Sequence, residues 1–316
     1  MSGVSPGAVS RPLRLGSRRS ALALTQSGQV AQAVQAAGAP PVEVVQVTTF
    51  GDTTAAALET LGGTGVFVTT LRDKLLSGEV DLAVHSLKDL PTAPAEGLVV
   101  AAVPVREDPR DVLIARDGLT LGELPPGSTV GTGAPRRAAQ LRALGFDLNV
   151  LGIRGNVDTR LSKVTSGELD AVVLARAGLA RLGRLDEVTE VLDPLQMLPS
   201  PGQGALAIEC RSGDAGLIEL LASLDDPATR AAVTAERSLL GALEAGCTAP
   251  VGALADISED ADGALELYLR AVVAAPDGSL TIRLSATGPL AAASEIGSRL
   301  AADLLDAGAA DLMESR

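Results

Sequence analysis

Two successive rounds of strand-then-helix patterning run through the chain as far as Gly204, and they narrow its fold more than any other feature. The first round has a strand at 13–15, a helix from about Ala21 to Ala37 stopped by Gly38, and a strand at 42–48. A second helix runs from Val66 to Leu76 and stops at Gly78; strands at 81–86 and 98–103 follow, and Pro104 closes the round. The pattern restarts at 112–115, passes through 129–132 into a helix near 136–144, and repeats with 148–153, another helix and 170–175. Pro194, Pro199, Pro201, Gly202 and Gly204 mark a crossing or hinge, after which 204–210 reads as one more buried strand. Beyond Asp226 the pattern changes to a helix at 228–243, a Gly-Cys loop, three strands and a final Ala/Leu helix. Two of those strands form a hairpin around Pro276-Asp277-Gly278, with Leu265, Leu267 and Leu269 alternating against Glu266, Tyr268 and Arg270. The chain is thus expected to be α/β, with two units of similar size and a small α+β unit, which 316 residues accommodate.

Composition excludes several functions. With three Phe, one Tyr and no Trp, stacking on bases is not available as a main binding mode. A formal charge of -13 argues against a duplex-binding surface that neutralises phosphates generally. Cys210 and Cys247 are too few for a disulfide scaffold and form no Cys-x-x-Cys pair, so no metal ligands are assigned and a reducing cytoplasm is expected. We find no signal-peptide pattern and no apolar run of about 20 residues, and expect no membrane partner.

The charge is segregated. Residues 130–184 hold nine basic side chains against four acidic ones, whereas 185–226 hold nine acids and one base. Three basic clusters fall where a strand turns into a helix: Ser17-Arg18-Arg19-Ser20, the 131–137 segment Gly-Thr-Gly-Ala-Pro-Arg-Arg, and Arg154-Gly155-Asn156. Such turns attract anions, because a helix start presents unpaired N–H groups and partial positive charge, and a guanidinium adds a bidentate fork. Three together point to a polyanion site, with phosphate and carboxylate both open. Gly62-Gly63-Thr64-Gly65 lacks the Lys-Ser/Thr of a P-loop and reads as a turn before a helix.

The segment His85-Ser86-Leu87-Lys88-Asp89-Leu90-Pro91 puts charged groups where the chain leaves a sheet. If the strand persisted, His85 and Asp89 would face one side and Ser86 and Lys88 the other. A carboxylate near cations stays ionised at neutral pH; His85 reads as a hydrogen-bonded structural residue. Cys210, in an apolar run, reads as a buried inert thiol, whereas Cys247 sits in a Gly/Pro-bounded loop where sulfur can be reactive.

These segments together resemble the porphobilinogen deaminase (hydroxymethylbilane synthase) family. The resemblance runs from Leu13 nearly to the end: 17–24, 62–67, 84–91, the Arg106-Glu107-Asp108-Pro109-Arg110-Asp111 run, Arg154-Gly155-Asn156-Val157, Pro201-Gly202-Gln203-Gly204 and Leu243-Glu244-Ala245-Gly246-Cys247. It implies two domains like type II periplasmic binding proteins, at 11–104 with 203–223 and at 105–199, and a third, α+β domain at 226–316. It implies a transferase that joins four porphobilinogen molecules head to tail, releases ammonia at each step and yields hydroxymethylbilane for porphyrin and haem biosynthesis. Cys247 would carry a dipyrromethane cofactor through a thioether. Asp89 matches the catalytic aspartate, placed to bond pyrrole N–H groups and stabilise the azafulvene cation left when ammonia departs. Lys88, Ser20, Arg136, Arg137, Thr132 and Ala134 match cofactor-binding positions; Arg18, Arg154, Arg160, Arg181, Phe67 and Gln203 match substrate-binding ones. Such enzymes usually work as monomers.

The chemistry agrees with the basic turns, since each porphobilinogen brings an acetate and a propionate. Thr60 and Thr64 stand where relatives often carry Lys, and Gly133 and Ala134 stand where they often carry Ser, so hydroxyl contacts are lost there while the Ala134 N–H is still expected to donate. Two other readings remain at this point: a non-enzymatic anion receptor built from the same two units, and an enzyme using Lys88 as a Schiff-base nucleophile.

Overall fold

The computed structural model describes residues 11–47, 65–245, 249–259 and 263–314. Its first sheet joins β1 (Leu13–Arg18), β2 (Val42–Val47), β3 (Leu82–Ser86), β4 (Leu98–Ala102) and β10 (Leu206–Arg211) in the order β2-β1-β3-β10-β4. The second joins β5 (Asp111–Ala115), β6 (Thr129–Thr132), β7 (Asn149–Gly152), β8 (Ala171–Ala175) and the short β9 (Glu190–Val191) in the order β7-β6-β8-β5-β9. In each sheet three parallel strands meet one antiparallel strand, and that strand is the first one after the chain has crossed from the other unit: β10 runs against β3, and β5 against β8. The central strands are mostly apolar because both faces are covered; β5 and β10 have hardly an exposed residue, and their buried carboxylates, Asp111 and Glu209, are paired.

Helices α1 (Ala21–Ala36) and α2 (Gly65–Leu76) belong to the first sheet, and α3 (Pro135–Ala143), α4 (Val157–Thr165) and α5 (Arg176–Arg181) to the second. After β10 comes α6 (Ala215–Ala222), then the long α7 (Pro227–Ala242). Its start is fixed by Asp226, whose carboxylate accepts the Thr229 N–H at 2.7 Å, with Pro227 in the first turn. The third sheet is an antiparallel meander of β11 (Val251–Glu259), β12 (Leu265–Ala274) and β13 (Thr281–Pro289), backed by α7 and α8 (Ala293–Asp306), with α9 (Ala309–Glu314) beyond. The hairpin lies where the sequence puts it, with Leu267 and Leu269 in the core and Leu265 exposed at the strand start. The expected single C-terminal helix is broken at Gly308 into α8 and α9.

The two crossings, 103–110 and 199–205, touch each other. Gly204 has φ +86°, and a Cβ there would lie 2.3 Å from the Glu107 carbonyl oxygen, so only glycine lets the segments approach this closely. Glu236, fully buried on α7, ties the crossings to the third unit: it accepts from Arg106 at 2.7 and 3.0 Å, from the Gly202 N–H at 2.6 Å and from the Ala255 N–H at 2.9 Å. No helix among the described residues is long and apolar enough to cross a membrane.

Candidate active site

The turn carrying Lys88 and Asp89 is built by the end of β3. The strand stops at Ser86 and a 3-10 turn, Leu87–Asp89, replaces it, so the strict alternation expected for residues 85–89 does not hold. Leu87 donates its N–H to the Ala205 carbonyl at 3.0 Å and Leu90 closes the turn onto Leu87 at 3.1 Å. His85 stays inside the sheet, with Nε2 3.2 Å from Glu209, which Arg72 grips with Nη2 at 2.9 Å. Burial works to raise the Glu209 carboxyl, but His85 and Arg72 outweigh it and hold it below its ordinary value. His85 is thus buried beneath the site against Glu209, but its Nε2 lacks, among the described residues, the well-formed hydrogen bond expected of it. Cys210 is likewise buried, its thiol pushed up to about 11 chiefly by burial.

Lys88 reaches across to the second unit through Gln203. Its ammonium donates to Gln203 Oε1 at 3.2 Å, and Arg137 Nη2 approaches the same oxygen at 3.4 Å. The Gln203 amide nitrogen donates to the Pro109 carbonyl at 2.6 Å and to Asp111 at 2.7 Å. Both donors and both acceptor directions of this amide are therefore engaged by the protein itself. Removal from water, with Arg137 close by, lowers Lys88 to about 8.

Asp111, fully buried at the start of β5, is the centre of this network. Arg136 Nη1 and Arg137 Nη2 each lie 2.8 Å from it. Burial alone would raise its pKa, yet the two guanidiniums hold it well below the usual carboxylate range. Arg136 also donates to the Leu198 carbonyl, and Arg137 to that of Val173 at 3.0 Å. The arginine pair at the start of α3 is thus buried and partly compensated within the chain. Arg137 Nε is buried with no acceptor among the described residues, which leaves one donor for an anion.

The turn before α3 is braced by Thr132, buried, whose hydroxyl accepts the Ala134 N–H at 3.2 Å. Within the chain that N–H is directed at the Thr132 hydroxyl. Gly133 packs against the next loop: a Cβ there would sit 2.6 Å from the Ile153 carbonyl oxygen and 3.4 Å from the Arg160 guanidinium. Arg160 donates to the Gly155 carbonyl at 2.9 Å, and burial followed by the charge of Arg137 lowers its pKa. Arg181, at the end of α5, donates to the Gly204 carbonyl at 2.6 Å beside Gln203; burial lowers it too.

Lys88, Arg137, Arg181 and Gln203 thus meet at the crossings, Arg136 joins them through Asp111, and Thr132, Ala134 and Arg160 lie at the two turns next to that arginine pair. Asp89 is half-buried next to Lys88, and its charge favours the protonated ammonium. Ser20 caps α1, accepting the Ala23 N–H at 3.3 Å, and Leu22 lies 3.7 Å from where a Gly178 side chain would start. The Arg18–Ser20 turn is thereby held against α5, which ends in Arg181. Arg154 is exposed in the loop before α4. Phe67 lies on α2 with its side chain outside the described residues, as do Cys247, Thr60 and Thr64 altogether. Asp111, Arg106, Glu236 and Arg237 were not singled out as site residues. The first two lie within a motif run, but their partners sit 26 to 130 positions away, beyond any local spacing signal.

A family model described as "Porphobilinogen deaminase, dipyromethane cofactor binding domain" matches residues 13–219, and one described as "Porphobilinogen deaminase, C-terminal domain" matches 230–306. The chain belongs to the porphobilinogen deaminase family. "Porphobilinogen deaminase 1" of Streptomyces coelicolor is 61% identical over 97% of this chain and 98% of its own length. Family members from Nocardia farcinica and Mycobacterium tuberculosis are each 59% identical, covering 97% and 95% of this chain and 89% and 98% of their own. Among solved structures, the periplasmic VFT2 domain of BvgS from Bordetella pertussis aligns with 67% of this chain and 86% of its own at a TM-score of 0.41 and 18% identity. The ligand-binding component of an ABC-type import system from Staphylococcus aureus aligns with 73% and 74% at a TM-score of 0.39 and 12% identity.

Proposed function

We propose that the protein is a porphobilinogen deaminase that condenses four porphobilinogen molecules head to tail into hydroxymethylbilane, releasing ammonia, as a monomeric cytoplasmic enzyme. The division into 11–104 with 203–223, 105–199 and 226–316 belongs to the same proposal. One observation carries it beyond family membership. A single turn holds Asp89 beside a lysine whose ammonium shares an amide oxygen with Arg137, so a carboxylate and a set of carboxylate-binding cations meet at one place.

The residues fit a dipyrromethane. Its acid side chains need cations, and Lys88, Arg136 and Arg137 gather around one buried carboxylate, with Arg137 Nε still without an acceptor among the described residues. Cys247 would hold the group through a thioether; when bound, it supplies the pyrrole end to which porphobilinogen units are added. Arg18, Ser20, Arg160 and Arg181 would hold the acetate and propionate groups of incoming substrate, and Arg154 and Phe67 would line its path. Asp89 accepts the pyrrole N–H of porphobilinogen and stabilises the positive charge that spreads onto it as ammonia leaves. A preorganised group of this kind is worth on the order of 10²–10³ in rate.

Intact-mass measurement tests the reading. The chain should be heavier than its sequence by one dipyrromethane, Cys247→Ser should remove the increment, and Asp89→Asn should keep both fold and increment while nearly abolishing turnover. An unmodified wild-type mass, or normal turnover with Asn at position 89, would overturn it.

A further inference from the structure

We propose that Arg237 is a positioning residue for Asp89, holding the turn that presents it from the far side of the unit boundary; this rests on the function proposed above. Arg237 lies on α7, in the third unit, and its guanidinium points into the first. Nη1 donates to the Leu87 carbonyl at 3.3 Å and to the Leu90 carbonyl at 2.7 Å, and Nη2 donates to the Pro91 carbonyl at 2.7 Å.

The two carbonyls joined by Nη1 are those flanking the Lys88–Asp89 dipeptide. A three-residue 3-10 turn is stiffened internally by one bond, Leu90 N–H to Leu87, and anchored to the sheet by another, Leu87 N–H to Ala205. The first already engages the Leu87 carbonyl, and the second uses the Leu87 N–H. Arg237 adds a second donor to the Leu87 carbonyl and supplies donors to the Leu90 and Pro91 carbonyls, where the chain has left the sheet ladder. A planar fork with fixed donor directions sets the backbone at 87–91, and that backbone aims the Asp89 carboxylate.

The Leu87 and Leu90 side chains are buried, packed with Val103, Ala205 and Val233. A groove of ≈ 290 Å³ opens beside the guanidinium, lined by Leu87, Thr92, Val233, Thr234, Ser238 and Gly241 among others. Apolar packing holds the two leucine side chains, and the Arg237 hydrogen bonds fix the backbone carbonyls on either side of Lys88 and Asp89. The preceding residue, Glu236, grips the Gly202 N–H and Arg106 in the crossings. Adjacent residues of one helix thus hold the Asp89 turn with a cation and the crossing segments with an anion.

The test uses full-length holo-protein carrying Arg237→Lys or Arg237→Ala. Because a misplacement of about 1 Å can cost 10²-fold, kcat should fall about 10- to 100-fold with KM changed less than about threefold. Hydrogen exchange in the 85–92 peptide should accelerate while exchange in β12 stays at the wild-type rate. The groove leaves room for a small cation, so millimolar guanidinium should restore part of the Ala variant's kcat and slow the 85–92 exchange, whereas tetramethylammonium at equal ionic strength should not. Wild-type kcat and exchange in both variants would overturn the proposal, as would equal rescue by both cations. The exchange measurement needs no turnover, so a wild-type protein inactive on porphobilinogen would defeat the functional reading and leave this test standing.

Discussion

Replacing Asp111 by Asn keeps the volume at the centre of the cluster and removes its charge. In the native chain the carboxylate faces Arg136 and Arg137 at 2.8 Å each and the Gln203 amide at 2.7 Å, with no solvent access. An asparagine offers one acceptor oxygen, and its NH₂ must point at a guanidinium or at the Gln203 NH₂, all donors. Two buried cations would then lack their counter-ion, a loss of the kind that costs about 3–5 kcal/mol. Urea unfolding of holo-protein should show a destabilisation of that order at pH 7. The effect should be independent of pH across the neutral range. Asp111 has its folded pKa depressed, so its contribution is fully present above the unfolded carboxylate value of about 3.9 and is lost as pH falls through the lower folded value. The variant should also acquire an anion dependence: sulfate at a hundred times its dissociation constant should return about 2.7 kcal/mol, and less in wild type, where the carboxylate already occupies the place. A loss below about 1 kcal/mol, or sulfate stabilisation equal in both proteins, would refute the assignment of Asp111 as counter-ion to the pair.

Two further outcomes follow from the same geometry. Lys88, lowered to about 8 from an ordinary value of about 10.4, should be about nine-tenths charged at pH 7 and about one-tenth at pH 9. Since the unfolded chain then binds the extra proton, this residue's contribution to stability should rise between those two values; competitive acylation of Lys88 against pH should inflect near 8, and an inflection above 10 would contradict it. Gly133→Ser should cost about 1–3 kcal/mol in thermal unfolding, because its Cβ would start 2.6 Å from a backbone oxygen, and an unchanged transition would show that the 153–155 loop yields freely.

Much of the architecture was legible because each sheet strand is an apolar run with a glycine or proline stop. The predicted 129–132 strand agrees residue for residue, and most other elements agree within one or two. Periodicity fails at Leu87–Asp89: the turn follows an unbroken run of suitable strand residues, and nothing local announces that the partner strand β10 ends its pairing with β3 at Leu206. The short β9 escaped notice because two residues give no pattern. At the site, the strand-to-helix turns were readable from Gly, Pro and Arg spacing. Asp111 and Arg237 were not, since they act on groups 26 and 150 positions distant, and Gln203 was reached only through the family resemblance.

That distance also changes how the charge should be counted. Residues 130–184 carry an excess of basic side chains, but several are compensated from outside the segment: Arg136 and Arg137 by Asp111, Arg176 by Glu107 and Asp108, and Arg184 in part by Glu187. The quantity that matters for binding acids is local. Around Gln203, Lys88, Arg136 and Arg137 face the carboxylates of Asp111 and, beside Lys88, Asp89, an excess of cations in a place largely removed from water. Desolvation makes such an excess costly, and it lowers both Lys88 and Arg136. An incoming carboxylate relieves that cost, so the site binds acids partly by removing a penalty it already bears. Asp111 limits the penalty to what the fold can carry. Its loss should therefore weaken the unliganded protein more than the liganded one.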